Sequence, residues 1–173
     1  METKKLHIVC LDVPYPADHG GMFDLFYKIV ALHKSGTKII LHCFEYGKGE
    51  QNELRRYCSE VYYYKRTTGL KGFSFFLPYI VSSRKSKQLV KNLAVDNAPI
   101  LFEGSHTTYI AYKNLFPGRN LLVRLHNIEQ VYYYHLFKAE RNFFRKLYYW
   151  RESKALKKYE KTVAENASFI LPV

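Results

Sequence analysis

Short apolar runs and amphipathic stretches alternate along the chain, each pair separated by Gly, Pro or Asn punctuation. Leu6-His7-Ile8-Val9-Cys10-Leu11 reads as a buried strand. A Pro-rich loop follows from Asp12 to His19 and closes on Gly20-Gly21, just before a helical pattern over 22–34. Phe23, Phe26, Ile29, Val30 and His33 recur there at helical spacing, and Gly36 stands where a left-handed cap ends a helix. A second strand is predicted over 38–44, a short polar helix over 50–57 and a third strand over 60–64. Residues 70–81 are aromatic and apolar but broken by Gly72 and Pro78, which suits a loop or a broken helix. Ser83 or Ser86 then caps a helix running through Leu89, Val90 and Leu93. A strand over 100–103, a loop at 104–108, a helix to about Leu115 and a strand over 120–125 come next. Two helices over 130–166, joined near Arg141-Asn142, lead to a strand from Ser168 that has the look of a buried one. This order predicts an α/β fold: a doubly wound, Rossmann-like parallel sheet with helices on both faces.

Composition adjusts that picture in three ways. With 173 residues and 47% apolar side chains, the chain suits one domain with a full core. It contains no apolar run long enough to span a bilayer and no signal-peptide pattern, so a cytoplasmic location is expected. Cys10, Cys43 and Cys58 are widely separated, which argues for buried thiols rather than a disulfide framework or zinc site. The formal charge of +12 implies an anionic partner. The excess sits in two blocks: seven basic side chains and no acid over 65–95, and nine basic against three acidic over 130–161.

In doubly wound sheets, ligands bind outside the carboxyl ends of the strands. Three candidate loops lie there: Gly20-Gly21, Glu103-Gly104-Ser105-His106, and His126-Asn127-Ile128-Glu129. Glycines at a helix start suit an anion, because free N–H groups and the positive end of the helix dipole face it. A tight strand-to-helix turn explains the same glycines equally well, and the G-x-G-x-x-G and G-K-[ST] patterns are absent. His126 at a strand end can hydrogen-bond a sugar hydroxyl or move a proton, and Arg124 and Glu129 are spaced to share its pocket. Glu103 and His106 form a similar pair, with a purely local hydrogen bond as the alternative. No nucleophile elbow, metal-ligand set or paired-carboxylate signature is present, so no metal and no covalent catalysis are expected.

The helix over 143–164 carries Leu156, Tyr159 and Val163 on one stripe, with Glu152 and Glu160 nearby and basic residues elsewhere. Together with the aromatic segment 73–81, this basic face suits the surface of an anionic membrane. A solvated outer face is the plain alternative. A nucleic-acid-binding domain is a further one, suggested by the charge and the 16 tyrosines. Those tyrosines fall within predicted strands and amphipathic helices, where core packing accounts for them, so no nucleic-acid partner is expected.

Asp12-x-Pro14-x-Pro16-x-x-x-Gly20-Gly21, then Arg124-Leu125-His126-Asn127-Ile128-Glu129 followed by aromatics, then Glu152-Ser153-x-x-Leu156-x-x-Tyr159-Glu160, resembles the N-terminal half of glycosyltransferase family 4. The resemblance covers nearly the whole chain. It implies one half of a GT-B architecture, with residues 1–173 forming the acceptor-side domain of a retaining, metal-independent hexosyltransferase without a cofactor. The substrates implied are a nucleotide-sugar and a glycan or lipid-linked acceptor in surface polysaccharide synthesis, with the enzyme peripheral on the inner membrane face. Gly20 and Gly21 would meet the donor diphosphate and His126 the transferred sugar. Asp18, His19, Glu103, His106, Arg124, Asn127 and Glu129 are candidate sugar or acceptor contacts. The donor-domain glycine loop and its paired glutamates are absent, so the 173 residues alone are expected to be inactive.

Overall fold

The structure is a computed structural model and describes residues 4–172. Its strands are Lys5–Cys10 (β1), Lys38–Glu45 (β2), Glu60–Lys65 (β3), Ile100–Glu103 (β4), Leu121–Leu125 (β5) and Phe169–Pro172 (β6). They form one sheet in the order β3-β2-β1-β4-β5-β6, and every neighbouring pair is parallel. The helices are Gly20–Lys34 (α1), Tyr79–Ser82 (α2), Lys87–Leu93 (α3), Tyr109–Tyr112 (α4), Glu129–Ala139 (α5) and Phe143–Asn166 (α6). This is the doubly wound α/β arrangement expected from the strand and helix alternation.

Successive strand side chains point to opposite faces, so each strand feeds two cores. Ile8, Cys10, Ile39, Leu41, Cys43 and Leu101 meet Met22, Leu25 and Ile29 of α1 on one face. Val9, Phe44, Ile100, Phe102 and Val123 meet Leu89, Ile110, Leu156, Tyr159 and Val163 on the other. The three cysteines are buried and free.

Several local features differ from the sequence pattern. Helix α1 starts at Gly20, and the stripe it buries is Met22, Leu25 and Ile29, while Phe23 is exposed and packs on Tyr27. A face centred on Leu25 leaves Phe23 about 160° away around the helix. The polar stretch after β2 forms only a 3₁₀ turn at Asn52–Arg56, and Ser105–Thr107 is another, followed by the single turn α4. Of the two candidate caps, Ser86 is the one that works: its Oγ accepts from Leu89 N at 3.1 Å. Strand β6 pairs with β5 yet is exposed along its whole length, with Phe169 at 60%. It is the outer strand of the sheet, and no helix covers it among the described residues.

A buried polar chain crosses the sheet toward its amino edge. Asn92 Nδ2 donates to Tyr64 Oη (2.9 Å), which bonds His42 Nδ1 (2.8 Å); His42 Nε2 bonds His7 Nδ1 (2.9 Å), and His7 Nε2 bonds Asp96 Oδ1 (3.0 Å). Every donor in the chain has one acceptor if both imidazoles are neutral with the proton on Nε2. Burial lowers the His42 pKa to about 3, with the His7 and Arg119 charges adding to it, and burial lowers that of His7 as well. Lys5 and Arg119 complete the charge balance around Asp96.

Candidate functional site

The strand order reverses at β1, so β1 and β4 are neighbours whose following loops diverge to opposite faces. A cleft of about 210 Å³ opens at their carboxyl ends, lined among others by His19, Gly21, Glu103, His106, His126 and Glu129. That is the place where such sheets bind ligands.

The first wall is the start of α1. Its first internal bonds run from Met22 N and Phe23 N to His19 O, which leaves the N–H groups of Gly20 and Gly21 outside the helical ladder. Neither glycine has a positive φ. A Cβ built on Gly20 meets nothing within 4 Å, and one on Gly21 meets only His19 Nδ1 at 4.0 Å. The turn therefore does not need these glycines; what their missing side chains leave is open access to the backbone. The preceding loop is held by Lys48, whose Nζ donates to Val13 O (3.3 Å), Pro16 O (3.2 Å) and Asp18 Oδ1 (2.8 Å).

The second wall is built on Glu103, the last residue of β4, which is register partner to Arg124 on β5. Glu103 is 1% exposed. Its carboxylate accepts from Lys28 Nζ of α1 at 2.6 Å and lies 3.3 Å from His126 Nε2 and 3.5 Å from Arg124 Nη1. Burial pushes the Glu103 carboxyl up, but the His126 hydrogen bond and the Lys28 and Arg124 charges outweigh it and hold the pKa below the ordinary value. Arg124 in turn is forked onto Asp24 of α1. Glu103 is thus committed to Lys28, Arg124 and His126, and its effect is to orient them; the His126 ring stays accessible from the cleft. Gly104 turns the chain away immediately after Glu103 with φ +78°, a conformation that favours glycine.

The third wall comes from the start of α5 and the turn after β4. Glu129 is buried at the cleft, and burial together with the nearby Glu160 charge pushes its pKa up to about 7. Glu160 Oε1 accepts from Glu129 N (3.0 Å) and Ser105 Oγ (3.2 Å), so a carboxylate of α6 caps α5. Two helical turns earlier, Glu152 Oε2 accepts from Tyr79 N at 2.7 Å and caps α2. Ser153 Oγ donates to Gln130 O (3.0 Å), and Tyr159 Oη bonds Thr108 Oγ1 (2.9 Å). The Glu-Ser and Tyr-Glu pairs of α6 therefore act as anchors that set the loops of the cleft. His106 Nδ1 is buried without a hydrogen-bond partner, and burial with the Arg84, Arg66 and His126 charges lowers its pKa to about 3, keeping it neutral.

Of the residues singled out from the sequence, His19, Gly21, Glu103, His106, His126, Asn127 and Glu129 line this cleft. Gly20 precedes it on the same turn; Arg124 sits behind His126 with their nitrogens 3.5 Å apart, and Asp18 is paired with Lys48. The sequence did not reveal Lys28 and Asp24, whose only signal was their spacing of four on α1. No cluster of three or more His, Cys, Asp or Glu side chains suited to a metal occurs among the described residues. No helix among them is long and apolar enough to cross a membrane.

No protein-family model matches the chain. It is 34% identical over 174 residues to a Klebsiella pneumoniae protein named "Uncharacterized 44.6 kDa protein in cps region". That similarity takes in 95% of this chain and 44% of the relative, so the chain spans less than half of the relative's length.

Proposed function

We propose that the chain is the acceptor-side domain of a retaining, metal-independent glycosyltransferase of the family 4 type, acting in surface polysaccharide synthesis. The observation that carries this reading is one cleft faced by the glycine start of α1 and by His126 held on Glu103. The motif resemblance and the relative from a cps region support it.

In this reading the N–H groups of Gly20 and Gly21 receive the donor diphosphate, with the α1 dipole behind them. His126 hydrogen-bonds the transferred sugar, and Glu103 fixes the ring that does so. Asn127, Glu129, His19 and His106 face the acceptor. The acceptor hydroxyl forms its new bond to the anomeric carbon on the face from which the diphosphate departs, and the diphosphate takes the hydroxyl proton. The nucleotide and most of the donor sugar are held by a second domain in the rest of the protein. The exposed Phe75, Phe76, Phe143 and Phe144, set among basic residues, would rest on an anionic membrane that presents the acceptor.

The test is Gly21→Ala in the full-length protein, assayed against a panel of nucleotide-sugars. Alanine at this helical position should leave the fold intact or stabilise it by up to about 1 kcal/mol, since nothing in the chain opposes its Cβ. Transfer should nevertheless fall, because the methyl group stands where the diphosphate approaches. Unchanged transfer in Gly21→Ala and Gly20→Ala together would overturn the diphosphate assignment.

A further inference from the structure

We propose that Arg66, Arg84 and Tyr46 form a phosphate-binding site beside the cleft, which holds the anionic group of the acceptor. The acceptor assignment rests on the transferase reading above; the phosphate site itself does not.

Tyr46 and Arg66 are the residues that immediately follow β2 and β3, and Arg84 lies just after α2. All three thus belong to the carboxyl edge of the sheet. Arg66 Nη1 donates to Tyr46 Oη at 2.9 Å, and Arg84 Nη2 donates to the same oxygen. The remaining bonds are also to neutral groups: Arg66 Nε to Ser83 Oγ (2.9 Å) and Arg84 Nη1 to Ile80 O (2.5 Å). Neither arginine has a carboxylate partner among the described residues. Arg84 is only 5% exposed, and its Nε is buried with no partner at all.

A contrast within the same molecule shows what is missing. Arg119 is about as buried, at 7%, and it is fully used: Nε to Ala98 O, Nη1 to Leu93 O and Nη2 to the Asp96 carboxylate. Removing a guanidinium from water without an anion is costly, and two of them meeting on one phenol oxygen also repel each other. Tyr46 Oη already accepts two N–H bonds, so its own O–H is free to donate, and the residue is 44% exposed. Arg66 Nη2, Arg84 Nε and the Tyr46 hydroxyl are therefore three unspent donors around two positive charges. A phosphate, with several acceptor oxygens and up to two negative charges, answers both needs. Helix α2, which Arg84 follows, packs against the Ser105–Thr107 turn whose Ser105 and His106 line the cleft, which sets the site next to it, and both arginine charges are felt at His106.

The experiment is calorimetric titration of the full-length protein with inorganic phosphate, in the wild type and in R66Q, Y46F and H126A. Arg84 is too buried for its replacement to be informative by itself, so the two more accessible partners carry the test. R66Q and Y46F should each weaken phosphate binding by about tenfold or more, and H126A should not. A Gly21→Ala background separates this site from the start of α1. Two further arms use a soluble hexose 1-phosphate and phosphatidylcholine vesicles carrying phosphatidic acid. Binding confined to the vesicles assigns a lipid-borne phosphate, and binding of the soluble ligand assigns a free one. Saturable phosphate binding that depends on Arg66 in a protein that transfers no sugar would keep the site and remove the transferase reading. Saturable binding by the wild type of none of the three, inorganic phosphate, hexose 1-phosphate or phosphatidic acid vesicles, or equal affinity in wild type, R66Q and Y46F for whichever is bound, would overturn the proposal.

Discussion

The two edges of the sheet use the same side-chain types to opposite ends. Running toward the amino edge, Asn92, Tyr64, His42, His7 and Asp96 form a chain in which each donor has one acceptor, the remaining Asp96 oxygen is ion-paired with Lys5, and both imidazoles are buried and neutral. At the carboxyl edge, Glu103 gathers Lys28, Arg124 and His126, but the His126 ring remains open to a cleft, and His106 Nδ1 beside it has no partner. A polar network closed on itself specifies a core. One that is held from behind and unfinished in front is arranged for something that arrives. The distinction lies in satisfaction of donors and acceptors, not in the identity of the residues.

Substituting one histidine at each edge gives the sharpest separation. Under the proposed transferase function, His126→Ala in the full-length protein should lower transfer by about 10²-fold or more while moving stability by less than about 1 kcal/mol, because the ring is only partly buried. Steady-state rates and denaturant melts on the same preparation check it, and a large loss of stability would make His126 structural. His42→Ala should do the reverse. It strands His7 and Tyr64 in a dry interior and opens a cavity, at a cost of about 3 kcal/mol, with turnover of the folded fraction unchanged. The wild-type pH profile carries the same signature. The folded His42 pKa of about 3 lies below its unfolded value of 6.5, so its stabilisation is complete above pH 6.5 and is lost as the pH falls toward 3. The slope is at most about 1.4 kcal/mol per pH unit, and His42→Ala should flatten it.

The sequence made one edge legible and left the other hidden. Glu103 and His126 each close an apolar strand and Gly20-Gly21 end the loop that follows another, and parallel topology brings such ends together, so their shared cleft follows from pattern alone. The four residues of β4 were readable because Pro99 and Gly104 punctuate both ends. The amino-edge chain left no such trace: His7 and His42 sit inside apolar runs, and their pairing depends on the stagger between β1 and β2, which periodicity does not report. Lys28 and Asp24 were hidden for a related reason. They are ordinary helical neighbours until α1 packs over the sheet and points them at Glu103 and Arg124, 75 and 100 residues away in sequence. Phe23 misled because hydrophobicity identifies a stripe but not which of two adjacent stripes faces the sheet.

A smaller effect comes from Glu129, where the carboxyl edge carries its own pH dependence of opposite sign. Its folded pKa of about 7 lies above the ordinary glutamate value of 4.5, so its contribution is complete below pH 4.5 and is lost as the pH rises through 7. Glu129→Gln should match the wild type in mild acid and exceed it at pH 8 by about 2 kcal/mol, the shift converted at about 1.4 kcal/mol per unit and discounted for relaxation. Equal stability at both pH values would mean that Glu129 is not held in a desolvated state.

The least disruptive change is Glu160→Gln, and it isolates the coupling between the two acids. Glu160 is half-buried, and that desolvation pushes its pKa up despite the hydrogen bonds it accepts from the N–H groups of Glu129 and Gln130. A glutamine keeps an acceptor oxygen for the α5 start but gives up the negative charge, which favours a helix N-terminus by about 0.3–1 kcal/mol. Removing a half-buried charge returns a comparable amount, so the net change in stability should stay within about 1 kcal/mol. The informative readout is elsewhere. With the Glu160 charge gone, Glu129 loses the second of the two influences that raise it, and its titration should move down from about 7 while burial keeps it above 4.5. Carboxyl ¹³C titration of Glu129 in both proteins measures this directly, and an unmoved titration would leave burial alone as the cause of the shift and remove α6 from control of the cleft's charge.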